Sequence, residues 1–293
     1  MNIIRVGTTT VGNIILVTTD SGATVYAVSG GKVVSGVAVG GVAKLKVKAG
    51  IWRVWAELNG ETTSEVEVIV TDSYYKEMSF AIPLSSLAEG ALVQINESGS
   101  PVPFYLATYN YESDLNGAGR VLFVRKDCYN QKMVWHSSQR NDYANSDISN
   151  WLNGTYKSLL DSSIQSLMGT TKFMYNYQAS ASVGTLARSV FLLSGYECNA
   201  KGYYEPQVGD ILPTASLLKV AYVNGTAVSW WLRTARRDNS VEANHMQQYA
   251  GTNSSHIVTD NMQQYPRPCF TLPVDSLMVS GSPNADGSYT LIV

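Results

Sequence analysis

The sequence predicts an α+β chain in two parts: an all-β segment over residues 1–79 and a larger mixed segment over 80–293. Three observations predict it. Short runs rich in Val, Ile and Thr, broken by glycine-bearing turns, fill the first part. Helical periodicity is confined to two short windows of the second. Long stretches between those windows carry Asn, Ser, Gly and Tyr with no period at all, which predicts few helices and long loops.

In the first part the runs are NIILVTT, ATVYAVS, KVVSGVAV, AKLKVKA, IWRVWAEL and SEVEVIVT. AKLKVKA alternates, so Leu45 and Val47 face one way while Lys44, Lys46 and Lys48 face the other. Turn residues stand at Asp20-Ser21-Gly22, Gly30-Gly31, Ala49-Gly50 and Asn59-Gly60. Six short strands with frequent turns suggest a small immunoglobulin-like sandwich. Nothing in it carries chemistry, so its expected role is docking or spacing.

The second part opens with strand-like runs over SLAEGALVQINESGSPVPFYLATYNY and GRVLFVRKDCY, with ESDLNGAG as a turn-rich loop between them. In NSDISNWLNGTYKSLLDSSIQSLM, Asn145 or Ser146 caps, and Ile148, Trp151 and Leu152 share one helical face. Gly154 interrupts before Tyr156, Leu159, Leu160, Ile164 and Leu167 resume the spacing, which predicts a helix pair or one broken helix. SVFLLSGYEC reads as a buried strand and TASLLKV as a short helix. A loop at Asn224-Gly225 precedes a strand bearing Trp230 and Trp231, and CFTLPVDSLMVSG and GSYTLIV close the chain as strands.

Composition excludes several functions. A chain of 293 residues with 45% apolar content buries a sizeable core, and a net charge of −2 gives no footprint for nucleic acid. The longest basic cluster is RTARR, Arg233 to Arg237. Cys128, Cys198 and Cys269 form no CxxC and no Cys/His ligand spacing, so buried free thiols are expected rather than a zinc site or a disulfide framework. The first residues lack the basic-then-apolar order of a signal peptide, and no run approaches a membrane span. GxSxG, HExxH, GxxxxGK[ST] and GxGxxG after a strand are all absent. His136 has Ser137, Ser138 and Asp142 nearby in sequence, but a triad must converge in space, and a structural histidine is expected. The carboxylates are scattered without an evident pair, and the triplets of calcium-binding lectins do not occur. No catalytic residue, metal or cofactor is assigned.

One run stands apart. NHMQQYAGTNSSHIVTDNMQQYPRPCF, Asn244 to Phe270, uses MQQY twice, sixteen residues apart, and holds two of the three histidines. Tyr offers contact area at low rotamer cost, while Asn, Ser, Gln and His offer adaptable hydrogen bonds, the composition of recognition surfaces. A polar segment of about thirty residues is costly to order without purpose.

Four pieces in order, SDISNWLNGTYKSLL, SVFLLSGYE, VSWWLRTA and YPRPCFTLP, resemble the C-type-lectin-fold domain of phage and prophage structural proteins, a fold that includes the variable proteins of diversity-generating retroelements. The resemblance covers roughly residues 80 to 280. The family's closing Gly-Val-Arg-Pro-Ala-Phe is here Tyr265-Pro266-Arg267-Pro268-Cys269-Phe270, with altered flanks. It implies a C-type-lectin-like ligand-binding domain whose variable surface lies between the WWLR and RP-F strands. The candidate ligand-binding residues are then Arg236, Arg237, Asn239, Glu242, Asn244, His245, Gln247, Gln248, Tyr249, Asn253, His256, Asp260, Asn261, Gln263, Gln264 and Tyr265. Ile257 and Val258 are expected to anchor inward, Trp151, Trp230 and Trp231 to lie in the core, and Phe270 and Leu272 to alternate into it. The resemblance also implies that Arg233 and Arg267 meet buried acceptors or carboxylates.

The implied function is a non-enzymatic phage attachment protein, working on the virion surface and made in the bacterial cytoplasm. Its expected partners are a bacterial surface protein or glycan and, through the N-terminal part, other virion proteins. A homo-oligomer, a trimer for example, would supply multivalency; nucleic acid and membrane insertion are not expected. Two alternatives stay open: an oxidase like the formylglycine-generating relatives of the fold, for which the three cysteines are the only candidates, and a purely structural virion decoration protein.

Overall fold

The computed structural model describes residues 5–9, 14–19, 21–70, 77–78, 81–200, 202, 205–249, 251–259 and 264–293. The chain is predominantly β, with several sheets and few, short helices. It divides into two compact units, one formed by Met1–Pro83 with Met278–Asn284 and the other by Leu84–Leu277 with Ala285–Leu291. Ala81–Pro83 pairs antiparallel with Met278–Ser280, so the first unit takes in a short C-terminal segment that the sequence pattern placed with the second.

The first unit has two antiparallel sheets over one apolar core. Val42–Lys46, Ile14–Thr18, Arg5–Thr9 and Glu77–Met78 form one sheet in that order. Lys32–Val37, Thr24–Ser29 and Gly50–Leu58 form the other, with Glu61–Thr62 and Val66–Val70 both paired to the last of these. All six expected strands are present. Alternation decides which side chains turn inward: Leu45 and Val47 are buried between exposed lysines. Ile15, Val17, Val25, Ala27, Trp52, Val54 and Val68 fill the interior. Two-residue hairpins at Gly30-Gly31 and Asn59-Gly60 put both central residues at positive φ, between 53° and 81°, the backbone that matches strand twist.

In the second unit, one run of paired strands is ordered Tyr289–Ile292, Leu92–Glu97, Ser100–Thr108, Arg120–Arg125, Cys269–Pro273, Val190–Phe191. Only the first pairing is parallel. Val121, Leu122, Phe123 and Val124 are all fully buried, so the middle strand is covered on both faces. Phe270 and Leu272 are buried as expected, and so are Cys269 and Thr271 between them, because that strand also has no solvent face.

Ser146 accepts a hydrogen bond from the Ser149 amide and starts the helix Asp147–Trp151, which widens into a π turn at Leu152–Tyr156. A second helix, Ser162–Met168, follows a break. Ile148, Leu152, Tyr156, Leu160 and Ile164 form the buried stripe. Two expectations are corrected. SVFLLSGYEC is strand only at Val190–Phe191, because Ser194 and Glu197 turn the chain by bonding each other's amides. ESDLNGAG holds a one-turn helix, Ser113–Asn116.

A fully buried ion pair ties these pieces together. Arg233 meets Glu197 with Nη1–Oε2 at 2.6 Å and Nη2–Oε1 at 2.8 Å, both side chains at 0% exposure. Nε and a second Nη1 hydrogen reach the carbonyls of Met174 and Leu192, and Tyr111 donates its hydroxyl to Glu197 at 2.6 Å. Burial alone would lower the arginine's pKa, but the paired carboxylate more than offsets this and raises it. Replacing Arg233 by Met leaves Glu197 buried and unpaired, and is expected to cost about 3–5 kcal/mol in denaturant unfolding. Arg53→Met at the exposed Arg53–Glu65 pair should cost under about 1 kcal/mol.

Candidate functional site

Trp230–Ala235, Glu242–Met246 and Asn253–Ile257 form a three-stranded antiparallel sheet, with Glu242–Met246 in the middle. Much of the polar interval expected as a loop is therefore a regular hairpin. Its turn is closed by the Gln247 amide on the Thr252 carbonyl at 2.9 Å and by the Thr252 hydroxyl on Gln247 Oε1 at 2.8 Å. Tyr249 at this tip is 79% exposed.

Polar side chains from distant segments hold the sheet. The Asn141 amide nitrogen, fully buried, shares its two hydrogens among the carbonyls of Arg236, Asn239 and Glu242, at 3.0, 2.7 and 2.7 Å. Asn176 brackets Ala235, accepting from its N–H and donating to its carbonyl. The nearly buried Glu205 carboxylate accepts from the amides of Gly195 and Gly202 and from the Asn253 side chain. A Cβ on Gly195 would collide with both the Asn253 amide and the Glu205 carboxylate, so glycine permits this approach. Arg236 bridges Asp238, Glu242 and Ser255, and Asn239 donates to Glu242.

Several predicted surface residues thus belong to the support. Asn244 and His245, expected to face a ligand, are 3% and 6% exposed, because this strand is buried on both faces from Ala243 to Met246. Asn253 is half-buried and committed to Glu205, and Arg236, Asn239 and Glu242 are tied to one another. Val258 is fully buried as expected, in the turn after the strand, where its carbonyl accepts from the amides of Trp135 and His136, but Ile257, the last strand residue, is 42% exposed. Arg237, Gln247 and Tyr249 are exposed, and Gln248, His256, Gln264 and Tyr265 are half-buried. Asp260, Asn261 and Gln263 lie outside the described residues. Tyr265 bridges to Trp230 and lies under the Lys132 ammonium at 5.5 Å.

The framework residues behave as cores do. Trp230 and Trp231 are buried, and Trp151 is half-buried. Trp231 Nε1 donates to the Met133 carbonyl. Arg267 is fully buried over the Trp230 ring at 5.0 Å and donates to the carbonyls of Arg125, Lys126 and Leu218. Trp230 Nε1 and Asn244 Nδ2, on one face of the sheet by register, are buried without a protein partner.

His136 is nearly buried, at 9% exposure. Its Nδ1 accepts from the Ser138 amide, while Ser137 turns to Asp147. The three cysteines are free and buried, and burial raises the Cys128 thiol to about 12 and the other two upward as well. Among the described residues, no group of three or more His, Cys, Asp or Glu is placed to hold a metal ion, and no helix is long and apolar enough to cross a membrane.

A family model described as a domain of unknown function, DUF6273, matches residues 118–274. The chain belongs to this family. The DUF6273 match runs from the Arg120–Arg125 strand to the Cys269–Pro273 strand, so it contains the Arg233–Glu197 pair, the three-stranded sheet and its supports. No curated protein matches the chain, and no solved structure does.

His245 packs edge-on to Trp231, with centroids 6.1 Å apart, and lies beside His256 at 6.0 Å. Burial first, and His256 second, lower its pKa to about 4. With the folded value below the unfolded one, the neutral ring's contribution is complete above about pH 6.5 and is lost as pH falls toward 4. In an NMR titration the His245 ring should stay neutral to about pH 5. A midpoint at or above 6.5 would contradict its burial in this sheet.

Proposed function

We propose that the chain is a non-enzymatic attachment protein that presents the 236–265 interval to a bacterial surface ligand. One observation supports the reading most. The hairpin is ordered from below by buried polar staples, while Gln247, Tyr249 and Thr252 at its tip stay exposed. Ordering in advance removes part of the entropic cost of binding, and Tyr with Gln gives contact area and adaptable hydrogen bonds. The resemblance to C-type-lectin-like variable proteins implies a buried frame, and the burial of the Trp pair, Arg233, Arg267 and Phe270 is compatible with one.

On this reading the second unit is a C-type-lectin-like binding domain. The first, with its two-sheet arrangement, is an immunoglobulin-like module that docks to a virion or a neighbouring subunit. Several copies on one particle then raise weak single contacts to useful avidity. An oxidase built on the three cysteines has less support, since each thiol is buried and held protonated.

The fluorescently labelled chain should bind intact cells of at least one strain in a broad panel of bacteria. Replacing Gln247, Tyr249 and Thr252 together by Ala should lower that binding about tenfold or more with the melting temperature kept within a few degrees. Binding to no strain, or full binding by the triple variant, would favour a structural decoration protein.

A further inference from the structure

A second surface feature lies outside the 236–265 interval. A cleft of about 440 Å³, open to solvent, is lined by Asp142, Asn145, Tyr175, Tyr177, Gln178 and Ser180, together with two alanines. It forms between the short 3-10 turn Tyr143–Asn145 and the end of the two-stranded ribbon of Thr171–Asn176 and Val183–Arg188. Asn141 and Asn176, which staple the hairpin's base, are chain neighbours of three of these residues.

The cleft is shaped by an aromatic pair. Tyr175 is 7% exposed and Tyr177 47%, with centroids 4.9 Å apart and planes at 60°. Tyr177 is set against Gly184, where a Cβ would collide with its hydroxyl, and its backbone N–H donates to the Ser182 carbonyl. Gln178 follows at φ 39°, a left-handed conformation that turns the chain sharply at the cleft wall. Opposite, the Asp142 carboxylate accepts from the Ala144 amide at 3.2 Å and from the Asn145 side chain at 2.5 Å. Those bonds fix the carboxylate and amide in place and leave each with further acceptor capacity.

The lining selects a ligand class. It holds no Lys or Arg to neutralise an anion and no aliphatic side chain larger than alanine to bury a lipid. One accessible tyrosine face is not the multi-sided cage that captures quaternary ammonium groups. What remains is one accessible aromatic face beside a fixed carboxylate and planar amides. That set complements a neutral ring with an apolar C–H face and hydroxyls at its rim.

We propose that this cleft binds a neutral hexose unit of a polysaccharide, stacked on Tyr177 and hydrogen-bonded by Asp142, Asn145 and Gln178. The cleft is open to solvent, so the saccharide chain can extend beyond the bound unit. The site stands on geometry separate from the hairpin, so either can fail alone.

The full chain should be titrated by heteronuclear NMR with methyl glycosides of glucose, galactose, mannose and N-acetylglucosamine. At least one should give saturable shifts at Tyr177 and Asn145. Tyr177→Phe keeps the ring and should retain binding, while Tyr177→Ala and, separately, Asn145→Ala should weaken it by about tenfold or more. Tyr249→Ala should leave the titration unchanged. No response to any glycoside, or binding indifferent to both Tyr177→Ala and Asn145→Ala, would overturn the proposal. Shifts at the cleft from tetramethylammonium alone would do so too, by reassigning it to a cation.

Discussion

The second unit depends on the ion pair between Arg233 and Glu197. A guanidinium and a carboxylate, each wholly removed from water, are tolerable only because nearly every donor and acceptor is met: bidentate contact, two carbonyls, the Ser194 amide and the Tyr111 hydroxyl. The pair links four separate pieces of chain: the tryptophan strand, the ribbon at Met174, the segment Leu192–Glu197 and the turn at Tyr111. Since Arg233 sits within Trp230–Ala235, that strand has little freedom to shift, and it is the base on which the hairpin is laid.

The hairpin itself contains little that would order it alone. A two-stranded hairpin is marginal in water, and this one is rich in Asn, Ser and Gln. Its order comes from outside: Asn141 at the incoming turn, Asn176 at the strand end, Glu205 beneath Asn253, and the Trp135 and His136 amides on the Val258 carbonyl at its exit. Each is a polar anchor supplied by another part of the chain. The cost of ordering is met before any ligand arrives, as a recognition surface requires.

Much of the fold was legible because it rests on short-range pattern. Alternation in AKLKVKA, the Ser146 cap and the apolar stripe from Ile148 to Ile164 are local signals with a direct physical cause. The candidate site was less legible, for reasons particular residues make clear. Asn244 and His245 look like surface residues by type, yet they sit on opposite faces of a strand whose residues Ala243 to Met246 are all buried, so neither face there meets solvent. Ile257 and Val258 look equivalent, yet the strand ends at Ile257, and the Trp135 and His136 amides hold the turn at Val258. Asn141 and Glu205 had no signal at all: each is a single polar residue acting across dozens of positions, with no spacing to betray it. Tyr177 was likewise one of eighteen tyrosines until Gly184 and Asp142 came beside it.

The central claim is that the hairpin is rigid before it meets any ligand, and amide hydrogen exchange measures this directly. The account predicts that the amides of Glu242–Met246 exchange as slowly as those of Trp230–Ala235, and that Asn141→Ala speeds the hairpin while leaving the Arg120–Arg125 strand protected. Exchange of Glu242–Met246 at the rate of unstructured chain in the unaltered protein would contradict it.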